Sequence, residues 1–202
     1  MKHCFLIWLG LFFFPAFSFS QETSFVKGLS ASMIDSAVID STDMAIYHWS
    51  EVFFMNNFQN DVQIINPKTR AMIDSLIKDP HAKNMHLIGL LMFSYEIIGN
   101  TIPPPNEHTA YQVEINEEIT KQFKNTYNRI PVLIYTFLAE SYINNEQFDS
   151  LNKILPEARK QYPDAIPLKV YQYQQSKDPQ LKEDLLKNHA NHWLVKSYHI
   201  QK

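Results

Sequence analysis

Helix punctuation limits this chain more than any other feature. Asn66-Pro67, Asp79-Pro80 and Asp178-Pro179 each set a capping side chain directly before a proline. Proline at the first helical position has no N–H to lose, and the Asn or Asp oxygen satisfies a free backbone N–H one residue further on. Between these signals the apolar residues recur at helical spacing. Met72, Ile73, Leu76 and Ile77 form one such face, and Tyr111, Ile115, Ile119, Phe123 and Tyr127 form another. Only 4 glycines occur in 202 residues, far too few for a chain built on tight hairpin turns. An all-α fold follows, with helices expected over 33–40, 42–57, 67–78, 80–99, 109–127, 131–144, 146–162, 165–177 and 179–191.

The first residues read as an export leader. Lys2 gives a positive start, the stretch from Phe5 to Phe17 is almost wholly apolar, and Ser18 and Ser20 put small residues before a cut ahead of Gln21. The apolar run, about 13 residues, is short of the ~20 that span a bilayer. The expected organisation is a signal peptide over 1–20, a loose mature N-terminus over 21–30 and a single helical domain over 31–202. No membrane span is expected after cleavage. The only cysteine, Cys4, leaves with the leader, so the mature chain has no disulfide, thiolate nucleophile or sulfur metal site. Its stability must come from its core. The absence of both disulfides and Asn-x-Ser/Thr sites points to a bacterial periplasm or the outside medium. With 18 basic and 21 acidic residues and no basic block, nucleic acid is not an expected partner.

One region is more specific. Tyr135, Leu138, Ala139 and Tyr142 lie on one expected helix, and Phe148, Leu151, Leu155 and Ala158 on the next, with Pro163 closing the unit. Residues 132–165 in this pattern resemble a tetratricopeptide repeat, a pair of antiparallel helices in 34 residues. Leu151 is larger than the family's usual alanine, and the flanking pairs over 85–127 and 166–190 follow the pattern loosely. An unrelated α-hairpin of the same periodicity is the alternative. The resemblance implies stacked antiparallel helix pairs in a right-handed α-solenoid, with Phe148 and Tyr142 wedged between the two helices beside small Ala139. It also implies a scaffold that binds protein segments on the face of the first helix. That face would present Leu133, Thr136, Phe137, Glu140 and Asn144. It carries no Lys or Arg, so an apolar peptide or helix is the expected partner rather than a chain-terminal carboxylate.

Catalytic signatures are sparse. No glycine-rich phosphate loop, Gly-x-Ser-x-Gly elbow or His-Glu-x-x-His helix occurs. No cofactor is expected. Glu96, inside an apolar helix, is the one carboxylate whose burial could tune it for chemistry. His189, His192 and His199 are the one group that could approach a metal ion. The sequence therefore leads to a non-enzymatic exported protein mediating protein–protein contact. A small enzyme or metal-dependent ligand binder using Glu96 or these histidines is the second reading, and a structural part of an envelope assembly a third. N-terminal sequencing of exported material should return Gln21 as the first residue; intact Met1 would exclude an exported, processed chain.

Overall fold

The computed structural model describes residues 25–61, 66–99 and 108–201; the segment 1–20, expected to be a signal peptide, lies outside them. Among the described residues every regular element is helical, and no helix is long and apolar enough to cross a membrane. The helices are α1 (Phe25–Asp35), α2 (Ala45–Phe53), α3 (Pro67–Lys78), α4 (Met85–Gly99) and α5 (His108–Tyr127). They are followed by α6 (Val132–Asn144), α7 (Phe148–Gln161), α8 (Ile166–Ser176), α9 (Pro179–Asn188) and α10 (Trp193–Ser197). A π-helical segment, Phe54–Gln59, continues α2 directly.

Where the local signal is complete, expected and observed ends agree. Asn66 Oδ1 accepts from Lys68 N at 2.9 Å, and Asp178 Oδ1 from Gln180 N at 2.8 Å. The α6–α7 turn and the α7–α8 boundary fall within two or three residues of expectation. Pro156 lies within α7, where it offers no N–H to the preceding turn.

Other expectations need correction. The segment expected to be loose over 21–30 is helical from Phe25, with Val26 and Ser30 buried, and the short helix expected over 33–40 ends at Asp35. Asp79-Pro80 opens a turn rather than a helix: Asp79 Oδ1 accepts from His81 N at 2.8 Å, and α4 begins only at Met85. Thr42 does not cap α2, because Thr42 itself donates to Asp40 Oδ1, and Asp43 accepts from Ala45 N instead. The helix expected to begin at the Thr109 cap starts at His108. α10 has no counterpart in the expected set.

Packing follows chain order through the second half. α5 lies against α4 and α6, α6 against α7 and α8, and α8 against α7, α9 and α10. α1 packs on α4 and α5. It comes close at Gly89, where a Cβ would stand 3.0 Å from Met33 Sδ. A buried carboxylate joins α1 to α5: Glu118 Oε1 accepts from Ser30 Oγ at 2.7 Å and from Gln122 Nε2 at 2.6 Å. Burial raises the Glu118 pKa, but these donors with Lys121 outweigh it, and the carboxyl stays below its ordinary value.

Asn84 holds the start of α4. It is fully buried at φ 58°. Its amide NH2 donates to the Asp40 carbonyl at 2.8 Å, the Asp43 carbonyl at 3.2 Å and the Tyr127 hydroxyl at 3.1 Å. Its Oδ1 accepts from Asp40 N at 2.8 Å. The side chain thus does for the 36–44 connection what a sheet neighbour would do for a strand. Asn84→Ala should destabilise by about 3–5 kcal/mol, from stranded buried polar groups and a positive φ that alanine dislikes. Asn84→Gly should recover only about 1 kcal/mol of that, and chemical denaturation of the three proteins checks both values. Equal stability of Asn84→Ala and the native chain would remove Asn84 from this role.

Candidate functional site

An apolar groove is bounded by α2, α3, α4 and α6. Three helices each contribute a stripe at helical spacing. α4 supplies Ile88, Leu91, Met92 and Tyr95, α2 supplies Trp49 and Phe53, and α6 supplies Leu133 and Phe137; Ile73 of α3 completes the wall. The groove has a volume of about 430 Å³ and no charged side chain in its lining. Trp49 is anchored by its indole N–H, which donates to the Thr69 carbonyl at 3.2 Å, so its ring forms a fixed wall. Met92 and Tyr95 are 56 % and 74 % exposed, which leaves one long side of α4 uncovered.

The π-helical turn shapes the far end. Its extra residue per turn sends the aromatic residues of 53–58 in different directions. Phe54 enters the core, while Phe58 lies 6.3 Å from Phe54 in a stacked arrangement and 5.6 Å from Phe137 in an edge-to-face one. Phe137 is thereby set at the groove floor with its ring half covered.

The expected partner face of α6 divides in the structure. Leu133 and Phe137 both line the groove, but Leu133 is buried at its base and only the half-buried Phe137 offers surface to a partner. Thr136 is buried, its hydroxyl donating to the Val132 carbonyl at 2.9 Å, so it offers nothing to a partner. Glu140 is half-buried, beyond Phe137 on the same face. Asn144 is exposed at the helix end. Glu140 has no hydrogen bond or ion pair among the described residues, and burial pushes its pKa up.

Of the residues that the resemblance assigns to helix packing, most are buried and one is not. Tyr135, Leu138, Ala139, Tyr142, Leu151, Leu155 and Ala158 are all buried. Leu151 is completely buried, so its size is accommodated where the repeat pattern usually has alanine. Phe148 is the exception: at 44 % exposure it does not fill the wedge. It is the first residue of α7, where the chain emerges from the turn, and lies too far out to reach between the helices. Tyr142 is fixed instead by a hydroxyl donated to Glu117 Oε1 at 2.8 Å. Pro163 is exposed in the α7–α8 turn, and its carbonyl accepts from Arg159.

His189, His192 and His199 do not come together in a three-residue ligand group. Among the described residues no three His, Cys, Asp or Glu side chains stand where they could hold an ion. His192 is buried with both ring nitrogens engaged: Nε2 lies 2.7 Å from the Phe58 carbonyl, and Nδ1 accepts from Leu194 N at 3.2 Å. This makes it the neutral tautomer protonated at Nε2, a cap for α10 rather than a ligand. His199 is exposed at the C-terminal end, at φ 50°. Glu96 belongs to α4, but its side chain lies outside the described residues.

Another cleft, of about 270 Å³, includes Glu51, Gln59, Gln161 and Tyr162 among mostly apolar neighbours. Burial raises the Glu51 pKa. The Tyr162 hydroxyl lies 2.9 Å from that of Tyr47 and donates to the Ile130 carbonyl at 2.8 Å. These groups are occupied in joining α2 to α6 and α7. Glu51 was not singled out in the sequence, and no local motif marks it, because its partner Val132 is 81 positions away. No family model matches the chain, and neither a curated protein nor a solved structure is significantly similar to it.

The raised pKa of Glu140 has a stability consequence. The folded state holds this proton more tightly than the unfolded chain, so the associated stability is complete below the ordinary glutamate range. It is lost as pH rises through the folded value. Glu140→Gln should therefore melt higher than the native chain at pH 7, and the difference should vanish below about pH 4. Thermal melts across that range test the sign.

Proposed function

We propose that this chain is an exported, non-enzymatic helical protein that binds an amphipathic helical segment of a protein partner in the groove between α2, α4 and α6. The observation that carries this reading is the set of stripes lining it. Ile88, Leu91, Met92 and Tyr95 stand at i, i+3, i+4 and i+7, the spacing by which one helix presents a seam to another; Ile88 is buried at the base, and Leu91, Met92 and Tyr95 carry the accessible surface. Trp49 with Phe53 and Leu133 with Phe137 supply i, i+4 pairs on the flanking walls. A helix laid in the groove meets apolar side chains on three sides, the arrangement of helix-in-groove recognition.

The lining supports binding rather than catalysis. It presents no carboxylate, imidazole or ammonium to move a proton, and a reaction site requires such groups to converge. In this reading the pairs α6–α7 and α8–α9 are successive units of a tetratricopeptide-like stack. Their packing of first helix on first helix, through α6 and α8, favours that arrangement.

Met92→Glu tests the proposal with little risk to folding, since Met92 is 56 % exposed. The mature protein and the variant should serve as paired baits in the envelope or secreted fraction. A protein retained by the native bait and reduced at least tenfold on Met92→Glu is the expected result. Identical retention on both baits, or none on either, would sink it.

A further inference from the structure

The stripe of α6 that lines the groove continues past Phe137. One turn further along α6 is Glu140, three residues on and so beside Phe137 on the same side of the helix. Glu140 is half-buried, and no Lys, Arg or His of the described residues pairs with it. The groups that feel its charge are the hydroxyls of Tyr171 on α8 and Tyr198 after α10; burial foremost, with Glu140 adding to it, holds both phenols above their ordinary value. Those two rings lie 6.1 Å apart, edge to face. An unpaired, half-buried carboxylate therefore stands beside Phe137, on the stripe of α6 that supplies Leu133 and Phe137 to the groove.

We infer that the helical partner carries a lysine or arginine beside its apolar seam, and that this cation pairs with Glu140 when the seam occupies the groove. This rests on the groove reading above. A carboxylate that has lost part of its water and gained no donor is the condition under which a partner's charge adds the most to specificity. A metal ion is a poor counter-charge here. Calcium takes six to eight oxygen ligands, and no group of three acidic or histidine side chains is assembled among the described residues. An ammonium or guanidinium needs only one carboxylate, and the half-buried Phe137 ring one turn back on α6 suits its apolar stem. Acidic segments are disfavoured by the same charge, so one residue both selects and excludes.

A display library of amphipathic helices separates the two levels of the claim. Its seam is fixed as leucine at i, i+3, i+4 and i+7, and its remaining positions are randomised. Selection on the full mature protein should enrich Lys or Arg about tenfold or more at one flanking position and deplete Asp and Glu there. On Glu140→Gln the leucine seam should still be selected and the basic preference lost. Melting curves of that variant, expected at or above the native value at pH 7, show that it is folded. Helices selected without any basic preference, or a preference that survives Glu140→Gln, overturn the inference and leave the groove reading standing. Failure to select any helix on the native protein overturns both.

Discussion

Every helix must satisfy the N–H groups of its first turn, and here one element does so for several others. α6 and α8 begin at Pro131 and Ala165, neither of which offers a capping side chain. The donors are met from the α2–π element instead. Glu51 Oε1 accepts from Val132 N at 3.2 Å, and Gln59 Oε1 from Ile166 N at 3.0 Å. Just past the π turn, Asp61 Oδ2 accepts from Trp193 N at 3.0 Å. The starts of α6, α8 and α10 are thus aligned along a single strip of backbone. Gln59 also donates to the Asp164 carbonyl at 2.9 Å, so it closes both ends of the α7–α8 turn. Each such bond contributes about 1 kcal/mol net, but leaving a buried helix start unmet costs more. The positions of these helices are therefore tied to α2 more strongly than their apolar contacts alone require.

This arrangement accounts for what the sequence reveals. Asn66 and Asp178 cap their own helices, and those starts are legible because cap and helix are adjacent. The ends of α6, α7, α8 and α9 are legible for a similar reason, since proline, asparagine and the four-residue apolar spacing act locally. The start of α4 is not. Asp79-Pro80 carries the same signal as Asp178-Pro179, yet Asn84, held by Asp40, Asp43 and Tyr127, places the first turn at Met85. The π turn is equally hidden, because the run Phe53-Phe54-Met55 reads as continuous helix, and the bonds that favour the wider turn come from residues more than 100 positions away.

The groove was half legible. Leu133 and Phe137 were identified as one face of α6, and they do share one. Whether that face meets solvent or another helix depends on α2 and α4, whose relation to α6 no local pattern records. Thr136 shows the difficulty: the repeat resemblance puts it on the partner face, but its hydroxyl bonds within its own helix and the residue is buried. Glu140 is the milder case. The repeat resemblance places it on the partner face of α6, and only the packing of α8 against α6 shows it to be partly desolvated.

α4 brings these points together. Its sequence is apolar nearly all round, a pattern that ordinarily marks a helix buried on every side. Leu87, Ile88 and Leu90 do face the core, yet Met92 and Tyr95 do not. Apolar area left in water forfeits roughly 25 cal/mol per Å², so the chain gives up stability along this side. Exposed apolar residues are ordinary when scattered. Here they are contiguous with Leu91, Phe53 and Phe137, and Trp49 is fixed by a hydrogen bond rather than left to cover them. A groove whose walls are held open by polar anchors behind them does not collapse to hide its own surface. That rigidity, more than the number of apolar residues, makes a helical occupant physically reasonable, because an incoming segment need not first reorganise the walls.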